Sequence, residues 1–344
     1  MKGGLLLLGH DPPGRLGALA ALADAAGLDH LWLADERFYR EVYASLTLCA
    51  LATRRIRLGP CVTDPYSRHP ALTAAAIATL DEASGGRAAL GLGAGISGFA
   101  ELGIARARPA RALREAIALI RRLLAGETVT QAGEVVRLHG GRLDFTPPRA
   151  ALPIWVASNG PLGQRAAGAL ADGAIVEGCA SPEEVLALAV EVGCGAAETG
   201  RDPGAVELVA RLNACIADDG AAARDVLRPR VARTLGAGRL RFAALEVQGL
   251  ALPAEARVRV AGVPYAAGLE PYRPLVPLIS DRHVDALTLA GTVDEVAAHV
   301  VALGRAGIGQ IMIHPFAPPG GTVDETIERF GCEVLPRARR ALDG

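Results

Sequence analysis

Short apolar runs alternate with longer, alanine-rich stretches from one end of the chain to the other. The short runs have the length of strands, and several of the longer stretches end at glycine, as helices commonly do. Strands are predicted at 5–8, 31–34, 56–62, 88–92, 154–157, 173–176, 206–214 and 311–313. Such alternation predicts parallel strands with the helices packed outside them.

The number of these repeats predicts the fold class. About eight strand–helix repeats in 344 residues fit an α/β fold, a (β/α)8 TIM barrel, with residues 1–344 in one domain. The spacing of the strands is interrupted once, over 216–309, where we predict a helical insertion and a return helix but no strand. A lid over the substrate and an element for stability or assembly fit this insertion equally well. A small hairpin is predicted over 128–136.

Charge and cysteine content exclude several classes of partner. Lys and Arg number 36 against 37 Asp and Glu, so no basic surface is predicted for nucleic acid or an anionic membrane. The six cysteines are scattered without a C-x-x-C pair, which argues against a metal site and a disulfide framework. No apolar run approaches the roughly 20 residues of a membrane span. We therefore expect a reduced, cytoplasmic protein without a nucleic-acid or membrane partner.

The stretch 58–95 contains two predicted strands that each run into a turn of small or polar residues. The first ends at Thr63-Asp64-Pro65 and the second at Gly93-Ala94-Gly95. Ligands of α/β proteins bind at the carboxyl ends of parallel strands, so these turns predict a cofactor pocket. Residues 93–98 also match G-x-G-x-x-G, but the acidic residue at the expected distance, Glu115, lies within a predicted helix. A glycine turn beside a flat cofactor is favoured over a dinucleotide fold, and a plain tight turn remains an alternative.

Two further segments follow predicted strands directly. Ser158-Asn159-Gly160-Pro161 leads into a helix whose first amides form an anion site, although an ordinary strand–helix turn fits as well. Asp35-Glu36-Arg37 places two carboxylates where they can move a proton or orient a ring, with Arg37 as their counter-charge. Surface ion pairing is the alternative for these three. His69 is predicted to be a capping or structural residue.

Several motifs resemble those of one family. They are Gly59-Pro60-x-Val62-Thr63-Asp64-Pro65-Tyr66, His69-Pro70-Ala71-Leu72-Thr73, Ser84-Gly85-Gly86-Arg87 and Gly91-x-Gly93-Ala94-Gly95. Together they look like the bacterial-luciferase-like flavin and deazaflavin oxidoreductases, and most like the branch that uses coenzyme F420, typified by methylenetetrahydromethanopterin reductase. The resemblance covers most of the chain. It implies a barrel with insertions, a homodimer or homotetramer, and no metal.

The resemblance also implies a set of cofactor-binding residues. In this family a non-prolyl cis peptide lies behind the deazaflavin ring, at the position of Cys61–Val62 here. Gly93 and Gly95 would let the cofactor approach the backbone, and the turn at 158–161 would hold its phosphate. The implied cofactor-binding residues are Cys61, Val62, Thr63, Gly93, Gly95, Ser158, Asn159, Gly160 and Pro161.

The same resemblance implies the reaction. It is hydride transfer between C5 of coenzyme F420 and a small organic substrate, with a C=N or C–N centre as the reacting group. Asp35 and Glu36 are the implied catalytic residues, and Glu36, where relatives have histidine, is the first candidate for proton transfer. The chain also has Leu6 and Ile96 where the reductase branch has acids. Alternatives are an FMN-dependent monooxygenase supplied by a separate reductase, and a barrel without catalytic activity.

Overall fold

The computed structural model describes residues 1–95, 98–238, 245–246, 248–263 and 267–344. These residues divide into two compact units. The N-terminal unit consists of Gly4–Ile175 and Leu188–Val209, and the C-terminal unit consists of Met1–Gly3, Val176–Ala187 and Ala210–Gly344.

The N-terminal unit is built on parallel strands that neighbour one another in chain order. Its strands are β1 (Lys2–Leu7), β2 (His30–Leu33), β3 (Arg57–Pro60), β4 (Leu90–Gly93), a hairpin of β5 (Val129–Ala132) and β6 (Arg137–Gly141), β7 (Ile154–Ala157) and β8 (Gly173–Glu177). The first two residues of β1 and the last two of β8 belong to the C-terminal unit. Its helices are α1 (Pro13–Ala25), α2 (Val42–Ala52), α3 (Pro70–Ser84), α4 (Pro109–Leu124) and α5 (Pro161–Leu170). Strands β1, β2 and β3 pair in parallel, as do β4, β7 and β8. Two isolated parallel bridges, Leu58 to Ala88 and Thr63 to Leu92, connect β3 to β4.

Helices dominate the C-terminal unit. After α6 (Pro182–Ala197) and β9 (Glu207–Ile216), both of which have residues in the two units, come α7 (Gly220–Gly236), α8 (Ala254–Arg259), a 3₁₀ segment (Glu270–Leu278), α9 (Asp281–Leu287), β10 (Thr288–Gly291), α10 (Val293–Arg305), β11 (Gln310–Pro315), α11 (Val323–Arg329) and α12 (Leu335–Asp343). Strand β9 lies between β10 and β11. Leu227 and Val231 of α7 pack with Tyr272, Leu275 and Val284 in the core of this unit.

The predicted alternation of parallel strands and helices is confirmed, with one correction. We expected no strand within 216–309, whereas Thr288–Gly291 form β10, which pairs in parallel with Asn213–Ile216 of β9. This strand has four residues and follows α9 without an intervening turn. These residues therefore form a strand because they pair with β9, and not because their local sequence favours one.

Candidate functional site

The carboxyl ends of β2, β3, β4 and β7 lie side by side along one edge of the N-terminal unit. Leu33 is in register with Pro60, Thr63 with Leu92, and Gly93 with Ala157. From β2 to β7 there are three inter-strand spacings, about 14 Å. The predicted catalytic residues follow β2, and the predicted cofactor-binding residues lie at or just after the ends of the other three strands, so the topology brings both sets to one edge.

The backbone after β3 forms a bulge with a cis peptide bond between Cys61 and Val62. The non-prolyl cis bond implied at this position is therefore present. The hydrogen bonds between the β3 and β4 segments are interrupted at the bulge. The Ala89 amide donates to the Leu58 carbonyl before it, and the Thr63 amide donates to the Gly91 carbonyl after it. The Cys61 amide donates to the Leu33 carbonyl at 2.8 Å, which ties the bulge to β2.

Glycine at two strand positions makes this bulge possible. A Cβ at Gly59 would lie 1.6 Å from the Ala89 carbonyl oxygen, so β3 and β4 approach each other too closely for any side chain there. A Cβ at Gly93 would lie 2.6 Å from Cγ2 of Val62. Gly93 therefore lets the Val62 side chain pack against the end of β4, a local reason for glycine that the sequence alone did not reveal.

The loop after β4 packs against Arg37. Gly95 has a φ of +61°, and a Cβ there would lie 2.7 Å from Phe99 and 2.8 Å from the Arg37 guanidinium. Arg37 stacks over the Phe99 ring at 4.0 Å and pairs with Asp64 at 2.5 Å. Residues 96 and 97 of this loop, including Ile96, lie outside the described part of the chain.

The expectation that Arg37 is the counter-charge of Asp35 and Glu36 is wrong. Asp64 is 3% exposed, and besides Arg37 it accepts hydrogen bonds from the amides of Tyr66 and Ser67, both at 2.8 Å. A buried carboxylate with these donors needs a cation, and Arg37 provides it. Arg68 is the cation near Asp35, with Nε 3.7 Å from Oδ2, and it also pairs with Glu41 at 2.9 Å.

Asp35 has the more strongly perturbed environment of the two candidate carboxyl groups. Burial raises the pKa of Asp35, and the nearby charge of Arg68 opposes that rise. The Tyr43 ring lies 5.0 Å from the Arg68 guanidinium, and its buried hydroxyl has no hydrogen-bond partner within the described residues. A carboxyl group whose pKa is raised by burial keeps its proton to higher pH, which suits proton transfer.

Asp35 and Glu36 open onto a cavity of about 260 Å³. The segment 35–41 lines one part of it, and Ser67, Arg68 and Leu102 line the rest. The structure thus brings the two predicted catalytic residues into one cavity. Sequence reasoning missed Arg68, because its proximity to Asp35 depends on the register of β2 against β3.

The turn at 158–161 forms the start of α5. The Ser158 hydroxyl accepts a hydrogen bond from the Gly160 amide at 3.1 Å and donates to the Gly160 carbonyl at 3.2 Å. Pro161 is the first residue of α5, and a Cβ at Gly163 would lie 2.2 Å from the Ser158 hydroxyl. Asn159 and Gly160 are half-buried. The turn is thus ordered by its own serine at a helix N-terminus, where the helix dipole favours an anion.

His69 has the capping role predicted for it. Its Nδ1 accepts a hydrogen bond from the Ala71 amide at the start of α3, and its Nε2 lies 2.9 Å from the Arg137 carbonyl oxygen. In the part of the chain that the structure describes, no group of three or more His, Cys, Asp or Glu side chains is placed to hold a metal ion. Among the described helices, none has the length and apolar character needed to cross a membrane.

Comparison with known proteins identifies the family. The model of the family described as "Luciferase-like monooxygenase" matches residues 1–310. The 5,10-methylenetetrahydromethanopterin reductase of Archaeoglobus fulgidus is 33% identical over 319 residues, which cover 92% of this chain and 94% of that protein. The enzyme of the same name from Methanolobus tindarius is 32% identical, over 97% of this chain and 100% of that protein.

A solved structure agrees with these sequence matches. The coenzyme F420 dependent tetrahydromethanopterin reductase from Methanopyrus kandleri superposes with a TM-score of 0.86 and 27% identity, over 97% of this chain and 98% of that chain. The predicted (β/α)8 barrel fold is thereby confirmed. The chain therefore belongs to the luciferase-like monooxygenase family, as its motifs predicted, and is similar within it to the 5,10-methylenetetrahydromethanopterin reductases.

Proposed function

We propose that this protein is a coenzyme F420-dependent oxidoreductase that transfers a hydride between the deazaflavin and a small organic substrate. One observation carries the proposal. The cavity beside Asp35, the bulge at Cys61–Val62 and the turn at 158–161 all lie at the same edge of the parallel strands. The Methanopyrus kandleri enzyme, named as coenzyme F420 dependent, supports F420 as the cofactor. The relatives named 5,10-methylenetetrahydromethanopterin reductase support a C=N or C–N centre as the reacting group.

The residues present fit such a cofactor. A flat ring needs a wall, which the bulge at Cys61, Val62 and Thr63 provides beside Gly93 and Gly95, and a phosphate needs an anion site. The N-terminus of α5 provides that site without a lysine, through the turn of Ser158, Asn159, Gly160 and Pro161. Two inter-strand spacings, about 10 Å, separate β3 from β7 and leave room for a sugar chain between ring and phosphate.

The chain's own groups would position the reactants and supply a proton. The deazaflavin, when bound, supplies hydride chemistry at its C5 atom. Asp35, whose pKa is raised by burial, is the first candidate for proton transfer, and the Arg68 guanidinium lies 3.7 Å from its carboxylate. Glu36, which the resemblance made the first candidate, lines the same cavity and becomes the second, because Asp35 is the carboxylate that lies beside Arg68.

Titration of the apoprotein tests the cofactor and the phosphate turn together. We expect F420 to bind more tightly than the same deazaflavin without its phosphate tail, and FMN to bind weakly. Ser158→Ala removes both hydrogen bonds that order the turn. We expect it to weaken F420 binding about five- to tenfold and to leave binding of the tail-less deazaflavin unchanged. Quenching of the deazaflavin fluorescence gives each dissociation constant.

Other outcomes separate the alternatives. Binding of FMN with F420 ignored would favour a flavin monooxygenase, and binding of neither would favour a barrel without catalytic activity. An equal loss of affinity for both deazaflavins in Ser158→Ala would remove the phosphate role from the turn.

We also propose that the protein assembles as a homodimer or homotetramer. Leu48 and Leu51 of α2 and Leu72 of α3 are 46%, 72% and 63% exposed, and α2 and α3 pack side by side. A contiguous exposed apolar patch marks an association surface, and we propose that these three leucines belong to one. Light scattering should give the mass of two or four chains, and a monomer at micromolar concentration would refute the assembly.

A further inference from the structure

The turn that carries Glu36 has a conformation that its sequence does not favour. The Tyr39 amide donates to the Glu36 carbonyl at 3.2 Å, which closes a four-residue turn. Phe38, the third residue of this turn, has a φ of +71°. That position of a type II turn favours glycine or asparagine, and a bulky side chain in the left-handed region is a true outlier.

Contacts on both sides of Phe38 hold the turn in this conformation. Before it, Arg37 is anchored by its ion pair with buried Asp64. After it, the Tyr39 ring lies 4.2 Å from the His10 ring, and Arg40 donates to the carbonyls of Gly9 and His10. The neighbours of Phe38, and not its own ring, therefore fix its backbone, and this kind of unfavourable conformation is concentrated at functional sites.

The Phe38 side chain faces solvent at the mouth of the cavity. It is 72% exposed, whereas Phe99 of the adjacent loop is 8% exposed and packs on Arg37. Phe38 lines the cavity together with Glu36 and Leu102, which is 44% exposed. An exposed aromatic face beside carboxylates matches a ligand with a flat unsaturated ring and polar edges, because aromatic rings stack and carboxylates accept hydrogen bonds.

We propose that Phe38 contacts the substrate and determines specificity by stacking on a flat, unsaturated ring. This inference rests on the proposed function, since it takes the cavity beside Asp35 and Glu36 to be the substrate site. The turn presents the ring, and the anchors at Arg37 and Tyr39 keep it in place when the cavity is empty. A substrate without a flat ring would gain little binding affinity from the Phe38 side chain.

Binding of a flat heterocycle to the F420-loaded protein tests the proposal, with lumazine as the probe. Phe38→Gly and Phe38→Leu both remove the aromatic face, and we expect each to weaken lumazine binding about five- to tenfold. Phe38→Tyr keeps the face and should stay within twofold of the wild type. Val258→Ala is the matched control, since Val258 is 73% exposed and lies on α8. Ligand-observed NMR gives the dissociation constants.

Thermal unfolding supplies a second readout. Because glycine suits the backbone at +71°, Phe38→Gly should unfold at the same or a higher temperature than the wild type, whereas Phe38→Leu should not gain stability. A lower unfolding temperature for Phe38→Leu than for the wild type would show that the ring packs in the fold and would overturn the proposal. Equal lumazine binding in wild type and Phe38→Gly, or no binding to the wild type, would also overturn it.

The cofactor titration distinguishes this failure from failure of the proposed function. F420 affinity should stay within twofold in every Phe38 variant, because Phe38 is not among the residues proposed to bind the cofactor. Loss of F420 binding in the wild type would instead refute the proposed function itself.

Discussion

Asp35→Asn is expected to lower kcat/KM for F420-dependent hydride transfer by a factor of about 10² to 10⁴. The asparagine keeps the shape of the side chain and its place beside Arg68 but has no proton to give or take. The assay follows the appearance of oxidised F420 fluorescence with reduced F420 and 5,10-methylenetetrahydromethanopterin, the substrate class named for the relatives.

The pH dependence of kcat/KM shows whether Asp35 acts in its protonated form. Burial raises the pKa of Asp35 above its usual value of 3.8, so the protonated form persists to higher pH than in an exposed aspartate. If the protonated carboxyl is the proton donor, kcat/KM of the wild type falls as pH rises through this raised pKa. Asp35→Asn should lose that limb of the profile, because the group that titrates is gone.

Glu36→Gln is the matched control for this experiment, since Glu36 lines the same cavity. We expect it to lower kcat/KM less than Asp35→Asn does and to retain the limb. The reverse order, with Glu36→Gln the more damaged and Asp35→Asn nearly unchanged, would assign the proton to Glu36. F420 affinity should be equal in both variants, which separates a chemical effect from loss of the cofactor.

The sequence predicted those parts of this molecule that depend on local pattern. Strand β7 has the predicted bounds, because Ile154–Ala157 lies between clear turn residues. The family motifs also located the cis bond at Cys61–Val62. Strand β10 escaped notice because its pairing with β9, distant in sequence, defines it.

Sequence reasoning assigned the wrong counter-charge to the carboxylates after β2, because the correct contact joins segments that are distant in the chain. Arg37 follows Glu36 directly, so proximity in the chain suggested that it neutralises the carboxylates. The fold instead directs Arg37 to Asp64, and Arg68 approaches Asp35 from the segment after β3. The left-handed backbone of Phe38 was equally invisible, because phenylalanine is not a residue that signals such a turn.

A second large effect concerns the buried carboxylate of Asp81 near the end of α3. Asp81 is 1% exposed. Arg149, in the segment before β7, donates to its two oxygens at 2.9 and 2.6 Å, and the Ala88 amide donates to it at 3.0 Å. Arg149 also donates to the Ala88 carbonyl at 2.8 Å. One carboxylate thus connects α3, the residues entering β4 and the residues entering β7.

Asp81→Ala is expected to lower the free energy of unfolding by about 3 kcal/mol. It leaves the Arg149 charge and the Ala88 amide without their acceptor, and a third of the Arg149 side chain is exposed, which moderates the penalty. The matched control is Glu127→Ala, since Glu127 pairs with Arg122 at 2.8 Å while both side chains are more than 40% exposed. We expect Glu127→Ala to lower the free energy of unfolding by less than about 1 kcal/mol. Denaturant unfolding followed by circular dichroism measures both.

The Asp81→Ala variant also tests whether the two ends of β4 are coupled. Asp81 acts at the amino end of β4, whereas Gly93 lies at its carboxyl end and packs against Val62. If Asp81 only stabilises the fold, Asp81→Ala below its unfolding transition should bind F420 with wild-type affinity. Weakened binding in a fully folded Asp81→Ala protein would mean that the Asp81–Arg149 ion pair also sets the position of the strand end that we propose lies beside the cofactor. Equal losses of stability in Asp81→Ala and Glu127→Ala would contradict the structural argument, since burial is what separates the two ion pairs.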